Sequence, residues 1–317
     1  MDTDRPPLPP VPPVTKESAV VGVLLGGMSP ERPISLKSGH AVSRALRSRG
    51  WKVVEIDVGP DLPARMVAEG VTVAWLALHG VIGEDGCVQG LCEVMRVPYT
   101  GSGVRGSAIA MDKVQTKRAL RDTGMPMAKD RVWRSGQEFP DDLAFPVMAK
   151  TPEGGSTIGI RKCHDPAELE SALLYCQEFA PEVLLEEFVS GEEITVAVLE
   201  GEALPVVAIR PETEFFDFEA KYTKGRTTYL VPAPIDPGIA ARAQAWATLA
   251  YRTLGLAGVA RADFIVDAAG TPWFLEINTL PGMTETSLSP MAAREVGMSF
   301  EDLVERLLLG ASLKVKV

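Results

Sequence analysis

The chain of 317 residues has few cysteines, no surplus of positive charge and no long apolar run. Its cysteines lack Cys-x-x-Cys or His spacing, so we predict buried thiols in a reducing compartment for Cys87, Cys92, Cys163 and Cys176. A net charge of −10 argues against a nucleic-acid partner, which requires a basic surface. Since no stretch reaches the roughly 20 apolar residues of a membrane span, we expect a cytoplasmic protein without membrane attachment.

Residues 1–18 are rich in proline and lack the basic start and apolar centre of a signal peptide. They predict a disordered leader, with a docking motif for a partner as the alternative. The rest of the chain exceeds the usual size of a single core, so we expect two or three domains that share a cleft.

Apolar runs alternate with a segment of helical spacing in the first third of the chain, at 19–25, 35–49, 51–58 and 71–78. This order predicts an open parallel sheet, in which functional loops lie at the carboxyl ends of the strands. The first such loop has glycines and Glu31 at a helix start, which suits a zwitterion, although simple helix capping would use the same residues. The second begins at His79, for which a satisfied core histidine is the alternative.

Glycines mark two further segments. Residues 101–106 fit Gly-x-Gly-x-x-Gly before a helix predicted over 104–122, but the preceding strand at 97–100 is short, so a bound dinucleotide is disfavoured. Residues 145–162 predict two strands around a glycine-rich loop, and no Walker A string is present. Such a loop can fold over a triphosphate, using Ser156 and the charge of Lys150, although most such segments are ordinary hairpins.

A second hairpin is predicted over 258–278, with an unusual polar set on one face. With a two-residue turn, Arg261 would face Glu276 and Asp263 would face Phe274, and slippage by two residues would keep the same face. Two carboxylates and an amide oxygen suit Mg²⁺, and a guanidinium suits phosphate or a developing oxyanion. A surface hairpin with cross-strand ion pairs is the alternative. The predicted metal ligands are Asp263, Glu276 and Asn278.

The pattern Glu-x-Asn-Thr-x-Pro-Gly-Met-Thr at 276–284 resembles the C-terminal signature of the D-alanine:D-alanine ligases, a family of the ATP-grasp superfamily. Residues 24–32 and 77–86 are similar to the N-terminal motifs of that family, and the resemblance extends roughly over 20–309. It implies an α/β protein in which an ATP-grasp fold follows a Rossmann-like parallel-sheet domain. The expected domains are 19–112, 113–193 and 194–317.

The resemblance also implies roles for single residues. Glu31 would hold the ammonium of the first substrate and form a closing triad with Ser156 and Tyr222, while Arg261 and the Gly282 N–H would stabilise the oxyanion. Further substrate contacts are implied for His79, Ser287 and the Leu288 N–H. The nucleotide would be bound through Lys113, Lys150, Ser156, Glu186, Val189, Glu193 and Lys221. For Lys113, a solvated helix position is the alternative, and for 181–198 the alternative is a salt-bridged or solvated carboxylate run.

The expected reaction is the ATP-dependent ligation of two D-alanine molecules through D-alanyl phosphate, for peptidoglycan synthesis. The implied cofactors are ATP and Mg²⁺, with two ions for which Mn²⁺ can substitute, and the family forms homodimers. Glu187 departs from the lysine of many members, and Thr157 from a frequent serine. One alternative is a ligase with D-lactate or D-serine as second substrate, over which Tyr222 favours D-alanine. The others are another ATP-grasp carboxylate–amine ligase, a non-catalytic nucleotide-binding protein, and a nicotinamide oxidoreductase.

Overall fold

A computed structural model describes residues 11, 13–140, 142–154, 159–211 and 227–316 of the chain. Three of the predicted site residues therefore lie outside the described residues, namely Ser156, Lys221 and Tyr222. Most of the predicted proline-rich leader lies outside them as well.

A three-stranded parallel sheet forms the N-terminal part, as predicted, with the strand order β2-β1-β3. Strands β1 and β3 are buried apolar runs, whereas the edge strand β2 is mostly half-buried, and helices connect the three strands, which is typical of parallel sheets. The predicted strand at 97–100 is reduced to one parallel bridge between Ala74 and Tyr99. The elements are β1 (Val20–Leu25), α1 (Arg32–Ser48), β2 (Lys52–Asp57), α2 (Leu62–Ala68), β3 (Val73–Leu76) and α3 (Cys87–Met95).

The helix predicted over 104–122 is in fact two helices, α4 (Val104–Met111) and α5 (Lys113–Leu120). The backbone of Asp112 is extended, and its carboxylate accepts hydrogen bonds from the Val114 and Gln115 N–H groups at 2.8 and 3.0 Å. This N-cap ends the first helix and starts the second in a new direction.

A four-stranded antiparallel sheet follows, in the order β4-β7-β5-β6. The prediction of two strands around the glycine-rich loop is confirmed, since β5 and β6 pair directly. Helix α6 covers one face of this sheet and does not cover the opposite face. The elements are β4 (Asp130–Arg134), β5 (Val147–Lys150), β6 (Ile160–Cys163), α6 (Pro166–Gln177) and β7 (Glu182–Glu187).

A third sheet, which is antiparallel, has the order β11-β10-β8-β12-β13 with β9 paired to β8. Helix α7 packs on one of its faces, and α8 and α9 pack between the other face and the N-terminal sheet. The elements are β8 (Glu192–Leu199), β9 (Glu202–Ala203), β10 (Val207–Pro211), β11 (Thr227–Leu230), α7 (Pro237–Thr253), β12 (Val259–Val266), β13 (Pro272–Asn278), α8 (Leu288–Glu295) and α9 (Phe300–Leu309).

The register of the hairpin β12–β13 differs from the predicted one. Arg261 lies opposite Asn278 and Asp263 opposite Glu276, whereas Phe264 lies opposite Phe274. The register shifts between Asp263 and Phe264, so one extra residue of β13 bulges and turns Phe274 into the core, edge-to-face on Phe264 at 5.7 Å. The predicted opposition of Arg261 to Glu276 and of Asp263 to Phe274 is therefore wrong.

Two further expectations concern cysteines and membranes. Three of the cysteines are buried, but Cys87 is exposed at the start of α3, so its predicted burial is wrong. Within the described ranges, every helix is too short or too polar to cross a membrane. The domain boundaries at 112 and 193 stay predictions.

Candidate active site

One face of the third sheet is polar because alternation along three neighbouring strands brings the same kind of residue to it. On β8, Ile194 and Val196 join the core under α7, so Glu193 and Thr195 belong to the opposite face. Thr195 lies opposite Asp263 in the ladder, and Asp263 lies opposite Glu276. Side chains from three strands therefore meet on this face.

Asp263 is the most strongly bonded member of this face. Its carboxylate accepts two hydrogen bonds from Arg261, from Nε at 2.9 Å and from Nη2 at 2.8 Å. The buried Thr195 hydroxyl donates a third bond at 2.5 Å. Asp263 is 5 % exposed, so these bonds fix its orientation in a poorly hydrated place.

Glu276 and Asn278 complete the predicted oxygen set. The Lys113 ammonium lies 3.5 Å from a Glu276 oxygen, and the Asn278 amide oxygen accepts a hydrogen bond from the Leu280 N–H at 3.0 Å. Two carboxylates and an amide oxygen on one face fit Mg²⁺. No cluster of three or more His, Cys, Asp or Glu side chains that could bind a metal occurs among the described residues, and this set itself has only two carboxylates.

Four buried charged side chains lie on α5 and on the face of the four-stranded sheet opposite α6. Glu186 accepts from Lys117 through one oxygen and pairs with Lys150 through the other, each at 2.5 Å. Burial alone would raise the pKa of Glu186, but the two lysines outweigh it and lower that pKa to about 2. Lys113, one helical turn before Lys117, donates to the Gly154 carbonyl at 2.8 Å.

Glu193 lies near this cluster, because its charge acts on both Lys150 and Tyr229. Of the two forms of the alternative, the salt-bridged carboxylate describes Glu186, which is 7 % exposed and pairs with two lysines, and the solvated one does not. Glu187, the next residue, is half exposed and lies 3.4 Å from Lys129. Val189 lies between β7 and β8 in the connection of the two antiparallel sheets.

Glu31 reaches towards the neighbouring loop and does not cap its own helix. Its side chain makes no capping hydrogen bond to α1. A Cβ placed on Gly80 would lie 2.7 Å from a Glu31 carboxylate oxygen, so the two loops are in close contact. Gly27 has a positive φ of 81°, which lets the backbone turn here and lets its N–H approach Asp57. Simple helix capping therefore does not explain Glu31.

His79 is buried in the loop that follows β3. Its Nε2 atom lies 3.2 Å from the Ser38 hydroxyl oxygen, which in turn accepts from the Met283 N–H at 3.1 Å. Burial is the main cause that lowers the pKa of His79, to about 4, and the charge of Arg261 adds to it. His79 is therefore a neutral ring that connects α1 with the loop after β13.

Glu84 belongs to the site although sequence reasoning did not select it. It accepts from the Gly80 N–H at 2.7 Å and from the Leu280 N–H at 3.2 Å, and it is 7 % exposed. Burial and, next to it, the neighbouring charge of Glu31 raise the pKa of Glu84 to about 8. Residues 77–86, which resemble a family motif, contain this signal, because two adjacent carboxylates follow the histidine in one loop.

The loop after β13 brings together the remaining predicted substrate contacts. A Cβ on Gly282 would lie 3.2 Å from the Ser287 oxygen. That oxygen accepts from the Thr284 N–H at 3.0 Å and does not cap α8, whose first residue is Leu288. The first N–H groups of α8 therefore remain at a helix N-terminus without a side-chain cap from Ser287, which favours an anion there.

A parallel-sheet domain, two antiparallel sheets, and lysines that pair with carboxylates of both antiparallel sheets define an enzyme of the ATP-grasp type. Models described as "D-ala D-ala ligase C-terminus" and "D-ala D-ala ligase N-terminus" match residues 120–309 and 62–102. The chain belongs to the D-alanine–D-alanine ligase family, and the recognition made from sequence motifs is confirmed.

Individual relatives support this membership. The D-alanine–D-alanine ligase of Syntrophotalea carbinolica is 47 % identical over 295 residues, which covers 93 % of this chain and 96 % of that protein. The ligase of Geobacter sulfurreducens is 45 % identical over 300 residues, with 93 % and 95 % coverage. The crystal structure of the Bacillus anthracis ligase is 33 % identical with a TM-score of 0.83, covering 92 % of this chain and 97 % of that one. The Bacillus anthracis ligase complexed with ATP is 32 % identical with a TM-score of 0.82, at 94 % and 98 % coverage.

Proposed function

We propose that the protein joins two D-alanine molecules to D-alanyl-D-alanine through D-alanyl phosphate, with release of ADP and phosphate, for peptidoglycan precursors. The observation that supports this proposal most is the polar face on which Arg261 and Asp263 lie opposite Asn278 and Glu276. This face lies next to Glu84 and His79, on both of which the Arg261 charge acts. A carboxylate-activating site needs both an acidic metal-binding edge and a cation for the reacting group, and this face has both.

The first D-alanine would bind between the two N-terminal loops. Glu31 supplies a carboxylate for its ammonium, and the backbone N–H groups at the start of α1 suit its carboxylate. The neutral ring of His79 keeps the pocket from gaining a positive charge that would compete for Glu31. A bare carboxylate resists attack by an amine, so it takes the γ-phosphoryl group and becomes an acyl phosphate.

The nucleotide would bind between the antiparallel sheets, with its triphosphate near Lys113 and Lys150. Glu186 and Val189 would contact the purine through the main chain, and Glu193 the ribose hydroxyls. Asp263, Glu276 and Asn278 would hold Mg²⁺, which when bound neutralises charge on the phosphates. Lys221 and the triad partners Ser156 and Tyr222 belong to this proposal on the resemblance alone.

The second D-alanine then attacks the acyl phosphate. Arg261 and the Gly282 N–H would stabilise the tetrahedral oxyanion, and removal of one such donor typically costs about 3 kcal/mol of transition-state stabilisation. Ser287 and the Leu288 N–H would receive the carboxylate of this second substrate, at the N-terminus of α8. The amine displaces phosphate, and the new peptide bond forms.

An assay of ADP release, coupled to a spectroscopic readout, tests the proposal with D-alanine, L-alanine and D-lactate as separate additions. We expect ADP release with D-alanine alone, a dipeptide mass in the product, and none with L-alanine. If ADP release began only when D-lactate was added, the second substrate would be D-lactate, and D-alanine in that role would be overturned. A rise in melting temperature with NAD but not with Mg-ATP would instead favour the oxidoreductase alternative. A homodimer and a cytoplasmic location stay predictions, and sedimentation checks the first.

A further inference from the structure

Lys117 is a buried lysine without a role in the reaction as described above. It lies on α5 one turn after Lys113, and it is 4 % exposed. Its ammonium donates to the Ala128 carbonyl at 2.7 Å and to Glu186 at 2.5 Å, and it lies 3.3 Å from an Asp130 oxygen. A lysine is rarely buried without a partner for each proton, and here all three are matched.

The other oxygen of Glu186 is the one that holds Lys150. Glu186 and Lys150 belong to the sheet face opposite α6, because Leu185 and Ala149 pack under that helix and the strands alternate. One carboxylate is therefore shared between Lys150 on the sheet and Lys117 on α5. Glu186 therefore lies between the two lysines and contacts Lys117 with one oxygen and Lys150 with the other.

The sharing has an electrostatic consequence. A buried one-to-one pair of Lys150 with Glu186 would be neutral and would leave no net charge for a phosphate. Lys117 adds one positive charge to that pair, while the carboxylates of Asp130, Glu193 and Glu276 are present with or without it. The charge of Asp130, which is 20 % exposed, is better screened by water and offsets this only in part.

We propose that Lys117 is a positioning residue for the nucleotide site, which acts through Glu186 to hold Lys150 in place and to keep it attractive to polyphosphate. This inference rests on the proposed function, since it takes Lys150 as a phosphate-binding residue. It assigns to Lys117 no contact with the nucleotide.

The test is the binding of ATP, ADP and adenosine, each with Mg²⁺, by calorimetry to the full chain and to Lys117→Met. We expect ATP affinity to fall about tenfold, the scale of one partly screened charge in a poorly hydrated site. The loss should be smaller for ADP and absent for adenosine, and Lys117→Arg should restore most of it. A uniform loss for all three ligands, as a merely structural lysine would give, overturns the proposal, and so does unchanged ATP binding.

Two controls separate the possible causes. Lys129→Met removes one positive charge from the exposed side of the same sheet and should leave ATP affinity unchanged, because Lys129 is exposed and pairs with Glu187. If Lys117→Met does not fold, Glu186→Gln is compared with the double variant of Lys117→Met and Glu186→Gln, in which Glu186 carries no buried charge that Lys117 would have to balance. Equal ATP affinity of these two supports action through Glu186, and a further loss in the double variant refutes it.

The wild-type chain distinguishes failure of this inference from failure of the proposed function. Absence of any Mg-ATP binding to wild type removes the nucleotide site itself. If wild type binds ATP at least tenfold more tightly than adenosine, and Lys117→Met keeps the same selectivity, only the role of Lys117 is removed.

Discussion

The substitution Arg261→Ala separates the oxyanion role of this guanidinium from nucleotide binding. Arg261 forms two hydrogen bonds with Asp263, at 2.8 and 2.9 Å, and the two side chains are 16 % and 8 % exposed. Removal of one partner from such a buried pair costs about 3 kcal/mol of unfolding free energy, since Asp263 keeps only the Thr195 hydroxyl. The folded state should survive this loss at 25 °C.

The effect on catalysis should be larger and of a different kind. Loss of an oxyanion donor lowers kcat by about 10²- to 10³-fold, whereas the affinity for Mg-ADP should fall only about tenfold, because Arg261 also holds the metal ligand Asp263 by two hydrogen bonds. Arg261→Lys is the matched control, because it keeps the charge but loses the two-pronged geometry. We expect it to recover part of the stability and little of kcat.

Three measurements check these expectations together: urea unfolding, calorimetric binding of Mg-ADP, and steady-state ADP release. Full activity in Arg261→Ala would refute the oxyanion assignment. A fall in nucleotide affinity that accounts for the whole loss of kcat/KM would instead make Arg261 a nucleotide-binding residue and refute the same assignment by another route.

Three further changes have defined outcomes. Thr195→Val should weaken Mn²⁺ binding about tenfold, as loss of a hydrogen bond behind a metal ligand typically does, and Thr195→Ser should not; equal effects of both would contradict the orienting role of the hydroxyl. The pKa of Glu84 is about 8 in the folded protein against 4.5 as its ordinary value, so the stability it adds is complete below pH 4.5 and is lost as the pH rises through 8. Urea unfolding at pH 5 and pH 9 should therefore show wild type losing about 4 kcal/mol more than Glu84→Gln, and parallel curves would refute this. Glu93→Ala should lower the unfolding free energy by about 2 kcal/mol, because Glu93 accepts from the Tyr99 hydroxyl at 2.8 Å and from the Lys314 N–H at 2.7 Å. Unchanged trypsin cleavage at Lys314 would contradict the claim that Glu93 holds the C-terminal segment in place.

The sequence was enough to place the polar residues of the hairpin on one face but not to set their partners. Alternation fixes the face of Arg261 and Asp263, and the structure agrees with it. The register depended on the bulge before Glu276, which turns Phe274 into the core, and no local pattern in β13 marks the bulged residue. Packing of Phe274 on Phe264 decides it, and that contact is tertiary.

The missed residues are those whose role depends on burial. Lys117 lies four residues after Lys113, a spacing that puts both on one helix face, so a pair of buried lysines could have been suspected. Thr195 follows Glu193 by two residues on a strand and shares its face for the same reason. Glu84, by contrast, depends on a contact with Leu280, almost 200 residues along the chain, which only the fold supplies.

The central claim is that the oxygen atoms of Asp263, Glu276 and Asn278 converge on one metal beside the triphosphate. Titration of Mn²⁺, followed by electron paramagnetic resonance with a non-hydrolysable ATP analogue present, tests it most directly. We predict that Asp263→Asn and Glu276→Gln each weaken Mn²⁺ binding by about tenfold or more, since each removes a carboxylate from the hard-oxygen set. Wild-type affinity for Mn²⁺ in both variants would contradict the account.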